Sequence, residues 1–302
     1  MNSTSNRTEG SAGEGGPAAG RALVVRIGAL GDVLLTRRLA YTLNLAGLRT
    51  TLLAPARHAT LLLADPWIDA VLDSESPLMA EAFTGLWPES AGAFDHAFVI
   101  SSSPGLLEAA GRAARGTTQL SPTPTTEDTA ISLQWAEGAR AFGQPITGVL
   151  PRLETRAADA AFSGATLIHL GSGSPRKNWP IERFVELSLK LGERGHRVVW
   201  VRGPAEGTLS EEWEGERLDR PSLSTLAATL SGARVFIGND SGVSHLAAAV
   251  GAPTVALFGS TLAAVWRPDG PRVQVVSTSS GAMEDISVDV ALDAMDRAHQ
   301  KA

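Results

Sequence analysis

Three short stretches of the chain combine small, flexible residues with groups that can hold or move charge. The first, Arg26-Ile27-Gly28-Ala29-Leu30-Gly31-Asp32, closes a β-branched run and delivers a carboxylate where a strand gives way to a helix. Capping the helix is the common work of an Asp at such a junction. The segment lacks the G-x-G-x-x-G spacing, so a dinucleotide site is unsupported. The second stretch, His169-Leu170-Gly171-Ser172-Gly173-Ser174-Pro175-Arg176-Lys177-Asn178-Trp179-Pro180, ends a strand in small residues and then offers two cations, Arg176 and Lys177, before a helix. Backbone N–H groups and cations converging in this way suit an anion. A solvated basic loop anchored by Trp179 fits the same residues. It is not a Walker loop, because Arg176 holds the glycine position and Asn178 that of Ser/Thr. The third, Gly238-Asn239-Asp240-Ser241-Gly242-Val243-Ser244-His245, follows a buried strand and opens a small-residue helix, so unpaired N–H groups and the positive dipole end point outward, as a diphosphate needs. His245 lies just over one turn beyond Asp240, within reach of the same pocket. A capped core helix with a satisfied histidine is the competing reading.

Other chemistries find little support. There is no H-E-x-x-H and no Asp-x-Asp pair, and the six histidines are scattered, so neither a metal nor any other cofactor is implied. His58, His96, His196 and His299 stand singly and read as structural, and the seven tryptophans read as packing residues. The absence of cysteine excludes disulfides and thiolate chemistry and fits a reducing cytosol. A net charge of -6 with no concentrated basic run argues against nucleic acid as a partner. No apolar run approaches the ~18 residues that span a bilayer, and the apolar core of a secretory signal is missing.

The elements that must position these groups alternate. Residues 1–20 are rich in Gly, Ser and Ala and are expected to form a disordered tail. Strands are expected at 22–27, 50–54, 68–73 and 94–100, separated by helices at 33–46, 56–64 and 78–86. A Thr/Pro/Ser-dense stretch at 116–126 precedes a helix over 127–142, and Pro151 marks the expected boundary between an N-terminal domain over 21–151 and a C-terminal one over 152–302. Past it the alternation resumes, with strands at 166–170, 196–201, 234–238, 254–259 and 272–276. Helices are expected at 155–162, 181–193, 222–231 and 241–250, and from 286 onward. At 302 residues the chain suits two such α/β units, Rossmann-like, facing across a cleft.

Together, RIGALGDVLLT, HLGSGSPRKNWPIERF and FIGNDSGVSHLAAAVGAPTVALFGST resemble the signature blocks of glycosyltransferase family 9, the lipopolysaccharide heptosyltransferases. The resemblance runs from about residue 22 to the last helix, and it lies in the ordered set of blocks. It implies the GT-B architecture and transfer of a heptose or related sugar from a nucleotide-sugar donor, ADP-heptose, to a lipid-linked core or similar glycan acceptor. Position by position, it implies Asp32 as the base that takes the acceptor proton and Lys177, with Arg176 beside it, as the holder of the donor phosphates. Asp240, Ser241, Gly242 and His245 fall on diphosphate contacts, Glu206 on the ribose contact, and Arg37, Arg38 and Arg57 on the acceptor side. Where relatives read F-G-P-T-D-P, this chain has Phe258-Gly259-Ser260-Thr261-Leu262-Ala263, which leaves the contacts made there open. The resemblance further implies inversion in one displacement without a metal, in a cytoplasmic protein that meets its acceptor at the inner face of the membrane. Another nucleotide sugar, an epimerase of similar fold and an inactive nucleotide-sugar binder are the rival readings.

Overall fold

The structure is a computed structural model that describes residues 20–143, 148–157, 160–203 and 215–300. The N-terminal lobe is built on β1 (Gly20–Val25), whose last four residues are buried, followed by α1 (Leu30–Leu35) and α2 (Arg37–Leu45). The chain continues through β2 (Leu48–Ala54), α3 (Ala56–Ala59), β3 (Ile68–Asp73), β4 (Phe94–Ile100), α4 (Pro104–Ala113), β5 (Ala114–Leu120) and α5 (Ile131–Glu137). Its sheet has the order β3-β2-β1-β4-β5, with every pair parallel. Runs buried without a break, such as TTLLA in β2 and AFVI in β4, are what a parallel sheet covered on both faces requires.

The C-terminal lobe contains β6 (Thr166–His169), α6 (Ile181–Glu193), β7 (Val198–Arg202), β8 (Glu216–Asp219), α7 (Leu223–Ser231) and β9 (Val235–Asn239). It closes with α8 (Gly242–Ala249), β10 (Thr254–Phe258), α9 (Ala263–Trp266), β11 (Val273–Ser277) and α10 (Val288–Gln300). The parallel order here is β11-β10-β9-β6-β7-β8. In both sheets the strand order reverses beside the first strand, between β1 and β4 and between β6 and β9. The crevice outside the carboxyl ends of strands at such a switch point is where open α/β folds bind ligands. All three chemistry-bearing stretches emerge at these two points.

Several expected elements change. The helix expected over 33–46 starts three residues earlier and breaks at Thr36, whose hydroxyl donates to the Val33 carbonyl at 2.6 Å. Asp32 therefore lies inside the first turn of α1. The helix expected over 127–142 shrinks to α5 and a 3-10 turn at Arg140–Phe142. Here the Gln134 amide accepts from Thr125 N–H and donates to the Thr126 and Thr129 carbonyls, so the threonine-rich segment is held as a loop. Of the helix expected over 155–162, the described residues form a 3-10 turn at Ala160–Phe162, and the helix expected at 78–86 is a 3-10 helix over Pro77–Thr84. Sequence reasoning passed over α4, opened by a Ser103 cap and Pro104, and the edge strands β5 and β8.

Pro151 lies between the last strand of the first sheet and the first of the second. The segment around it is tied to both lobes: Arg37 donates to the Pro151 carbonyl at 2.9 Å, and Leu153 N–H donates to the Ala249 carbonyl at 2.8 Å. The lobes meet most closely where the starts of α1 and α8 touch. A Cβ built on Gly242 would lie 2.9 Å from Leu30 Cβ and 3.1 Å from the Gly31 nitrogen, so only glycine fits this seam. Gly242→Ala should accordingly lower stability by about 1–3 kcal/mol, the usual effect of overpacking. Thermal denaturation checks it, and an unchanged midpoint would mean that the seam has slack.

Candidate active site

At the end of β1 the carboxylate of Asp32 folds back over the loop. Its Oδ2 accepts from Ala29 N–H at 3.1 Å, and Oδ1 accepts from Arg26 Nη2 at 2.5 Å. Gly28 permits this fold, since a Cβ there would sit 2.7 Å from Asp32 Oδ2. Arg26 is fixed in turn by the Ile100 carbonyl at the end of β4 (3.4 Å) and by the Trp135 ring, 5.0 Å from its guanidinium carbon. Asp32 thus caps α1, as the plainer reading of the sequence had it, and also faces the cleft with its side chain 26% exposed.

Across the cleft, Asn239 clips the other two stretches together. Its Nδ2 donates to the Leu170 carbonyl at 2.6 Å and its Oδ1 accepts from Trp179 N–H at 2.9 Å, while the Trp179 indole donates to the Ile286 carbonyl. Trp179 is therefore the packing anchor of the loop. With the loop clipped, the 3-10 turn Pro175–Lys177 sets Lys177 Nζ 2.7 Å from Asp240 Oδ2. The Thr261 hydroxyl donates to the same oxygen at 2.7 Å. Asp240 is only 7% exposed, so its charge is met by the ammonium and the hydroxyl. Next to it the Ser241 hydroxyl is buried without a hydrogen-bond partner among the described residues, and α8 begins with amides that have no intrahelical acceptor. His245 is buried against Gly31, and burial pushes its imidazole pKa below the ordinary range against the pull of Asp240, Asp32 and Asp269, which favours the neutral ring.

These groups share one cavity of about 380 Å³, lined from the N-terminal lobe by Ala29, Gly31, Asp32 and Leu35 and from the C-terminal lobe by Lys177, Asp240, Ser241, Gly242, His245, Thr261 and Trp266, among others. The neighbouring residues Leu30 and Val243 face a second cavity of about 310 Å³ on the other side of the glycine contact.

The remaining candidates lie elsewhere. Arg176 is exposed and does not line the main cavity. Glu206 lies outside the described residues. Arg37 is 1% exposed and is held by Asp65 through two bonds of 2.6 and 2.8 Å, so it is a buried structural ion and is not presented to an acceptor. Arg38 is engaged across the lobes, gripping Asp269 at 2.5 and 2.6 Å. Arg57 is exposed, pairs with Glu75 and borders the second cavity. Arg26, Asn239 and Thr261 went unnoticed as positioning groups. Arg26 and Asn239 stand within the motifs themselves, and Thr261 lies in the block where the missing Pro and Asp drew attention. Among the described residues no group of three or more His, Asp or Glu side chains is placed to hold a metal ion, and no helix is long and apolar enough to cross a membrane.

Residues 139–294, just over half of the chain, match the model of glycosyltransferase family 9 (heptosyltransferase). The chain belongs to glycosyltransferase family 9. Among relatives, lipopolysaccharide heptosyltransferase 1 of Pseudomonas aeruginosa is 38% identical over 111 residues, which cover 34% of this chain and 31% of that protein. The matched stretch thus spans about a third of the relative's length. Over nearly the whole fold, a family 9 glycosyltransferase structure from Veillonella parvula superimposes with a TM-score of 0.79 at 18% identity, covering 95% of this chain and 99% of that one. The E. coli heptosyltransferase WaaC with ADP gives a TM-score of 0.73 at 17% identity, covering 93% and 100%. This family 9 chain has the GT-B architecture: two parallel-sheet lobes facing each other across a cleft.

Proposed function

We propose that this protein is an inverting glycosyltransferase that moves a heptose or related sugar from a nucleoside-diphosphate sugar of the ADP-heptose kind to a hydroxyl of a lipopolysaccharide core or similar glycan. The observation that carries the reading is the shared cavity, with a lone cleft-facing carboxylate on one wall and an anion-gripping helix start on the other. The donor diphosphate lies against Lys177 and the first amides of α8, with the Ser241 hydroxyl as a further donor. The anomeric carbon then faces the N-terminal lobe. Asp32 removes the acceptor proton as that oxygen attacks, the bond to the diphosphate breaks, and the configuration inverts. Negative charge growing on the departing diphosphate meets the ammonium of Lys177 and the helix amides, preorganised donors that need little rearrangement. Asp240 and Thr261 aim the ammonium. The second cavity, with Val201, Leu223 and Leu226 in its walls, takes the nucleoside. The acceptor, lipid-linked in the inner membrane, approaches from the N-terminal lobe of a cytoplasmic protein.

Lys177→Ala should weaken ADP binding by about 10- to 100-fold, the scale of a charge-assisted hydrogen bond. It should also lower kcat, because the contact persists as charge develops. Titration of ADP together with steady-state heptose transfer from ADP-heptose checks both. A variant that changed acceptor affinity alone would move the diphosphate away from this wall. UDP- and GDP-sugars in the same titration test the nucleotide, and saturable binding of one of them in place of ADP-heptose would change the donor while leaving the site.

A further inference from the structure

The second cavity contains a polar group that the transfer chemistry leaves idle. Its walls come mostly from the C-terminal lobe, but His58 enters from the opposite side on α3. Among the bonds that fix that helix, Ala56 N–H donates to Asp73 Oδ1 at 3.0 Å, and His58 N–H and Ala59 N–H donate to the Pro55 carbonyl at 2.9 and 3.0 Å. The His58 ring makes one hydrogen bond among the described residues, from Nδ1 to the Gly28 carbonyl at 3.3 Å. A carbonyl oxygen only accepts, so Nδ1 must carry the proton. Burial lowers the His58 pKa below the ordinary range, Arg57 adding to the shift, against the Gly28 carbonyl, Glu75 and Asp32, which raise it. Burial thus favours the neutral ring, whose Nε2 is a hydrogen-bond acceptor in a cavity that Arg57, His169 and Arg202 line together with apolar side chains.

We infer that His58 is a donor-specificity residue whose Nε2 accepts a hydrogen bond from a hydroxyl or amine of the donor nucleoside, so that the N-terminal lobe reads the nucleotide as well as the acceptor. This rests on the reading above that the nucleoside fills the second cavity. The same imidazole bonds Gly28, the residue over which the Asp32 carboxylate folds. Nucleoside contact and base loop are thus joined by one side chain.

The test titrates the full chain and its His58→Phe and His58→Gln variants with ADP and, separately, with inorganic pyrophosphate, which has no nucleoside. His58→Phe should weaken ADP by about 3- to 10-fold, the net effect of one hydrogen bond, and leave pyrophosphate unchanged. His58→Gln, which keeps an acceptor, should recover part of the loss. Unchanged ADP affinity in His58→Phe would overturn the inference, and equal losses for both ligands would overturn it too, by marking a general collapse of the loop. If the unaltered protein bound pyrophosphate as tightly as ADP, the nucleoside placement itself would fall, and the role of His58 with it.

Discussion

Asp32→Asn should lower turnover by about 100-fold or more, the scale of a lost general base, while ADP affinity should stay within about twofold. The two effects should separate because Asp32 lines the cavity from the N-terminal lobe and is hydrogen-bonded to Arg26 and Ala29, whereas Lys177 and α8, the proposed diphosphate contacts, belong to the C-terminal lobe. Asparagine keeps an oxygen for Ala29 N–H, so the cap on α1 survives. Its amide nitrogen, however, cannot accept from Arg26, and it cannot take a proton from the acceptor hydroxyl. Pre-steady-state transfer measured beside ADP titration reads the two effects independently. Equal turnover in the variant would remove Asp32 from the chemistry, and a large loss of ADP affinity would mean that the substitution had disturbed the opposite wall.

The second large effect is on stability. Arg37→Met leaves Asp65 buried without its partner, and breaking such a pair costs about 3–5 kcal/mol. Asp65 is fully buried, and its two bonds to Arg37 do not offset the loss of water: burial pushes its carboxyl above the ordinary range. A carboxyl raised in this way contributes stability below its unfolded pKa and loses that contribution as pH rises through the folded value. The ion pair therefore adds little net stability, and its visible work is to hold α2 to the Pro151 carbonyl. Arg37→Met with Asp65→Leu should in consequence recover most of what Arg37→Met loses, since an apolar pair removes the stranded charge. Urea denaturation of the single and double variants checks this. A double variant no more stable than the single one would place the cost in the lost Pro151 contact.

The sheets were legible because parallel strands covered on both faces need unbroken apolar runs, and LVV, TTLLA, FVI, VFIG and TVALF supply them. Of the four sheet edges, β3 and β11 were legible and β5 and β8 were not: in β5, ARGTTQL alternates half-buried and exposed residues and carries threonines that also suit a loop. The convergence of the candidate groups was legible, since Asp32, Lys177, Asp240, Ser241, Gly242 and His245 all stand at strand-to-helix junctions and all line one cavity. Arginines were misjudged for a physical reason. Arg37 and Arg38 are adjacent cations on α2, and no local pattern announces that Asp65 and Asp269, distant in sequence, take them up. The role of Thr261 depends equally on a long-range contact, with Asp240 at 2.7 Å.

The most direct measurement is a crystal structure of the protein with an unreactive ADP-heptose analogue. The diphosphate should lie on Lys177 and the amides at Ser241 and Gly242, with the sugar turned toward Asp32 and the nucleoside in the cavity bordered by His58. An analogue bound with its sugar facing away from Asp32, or a diphosphate seated clear of Lys177 and α8, would contradict the two-walled site.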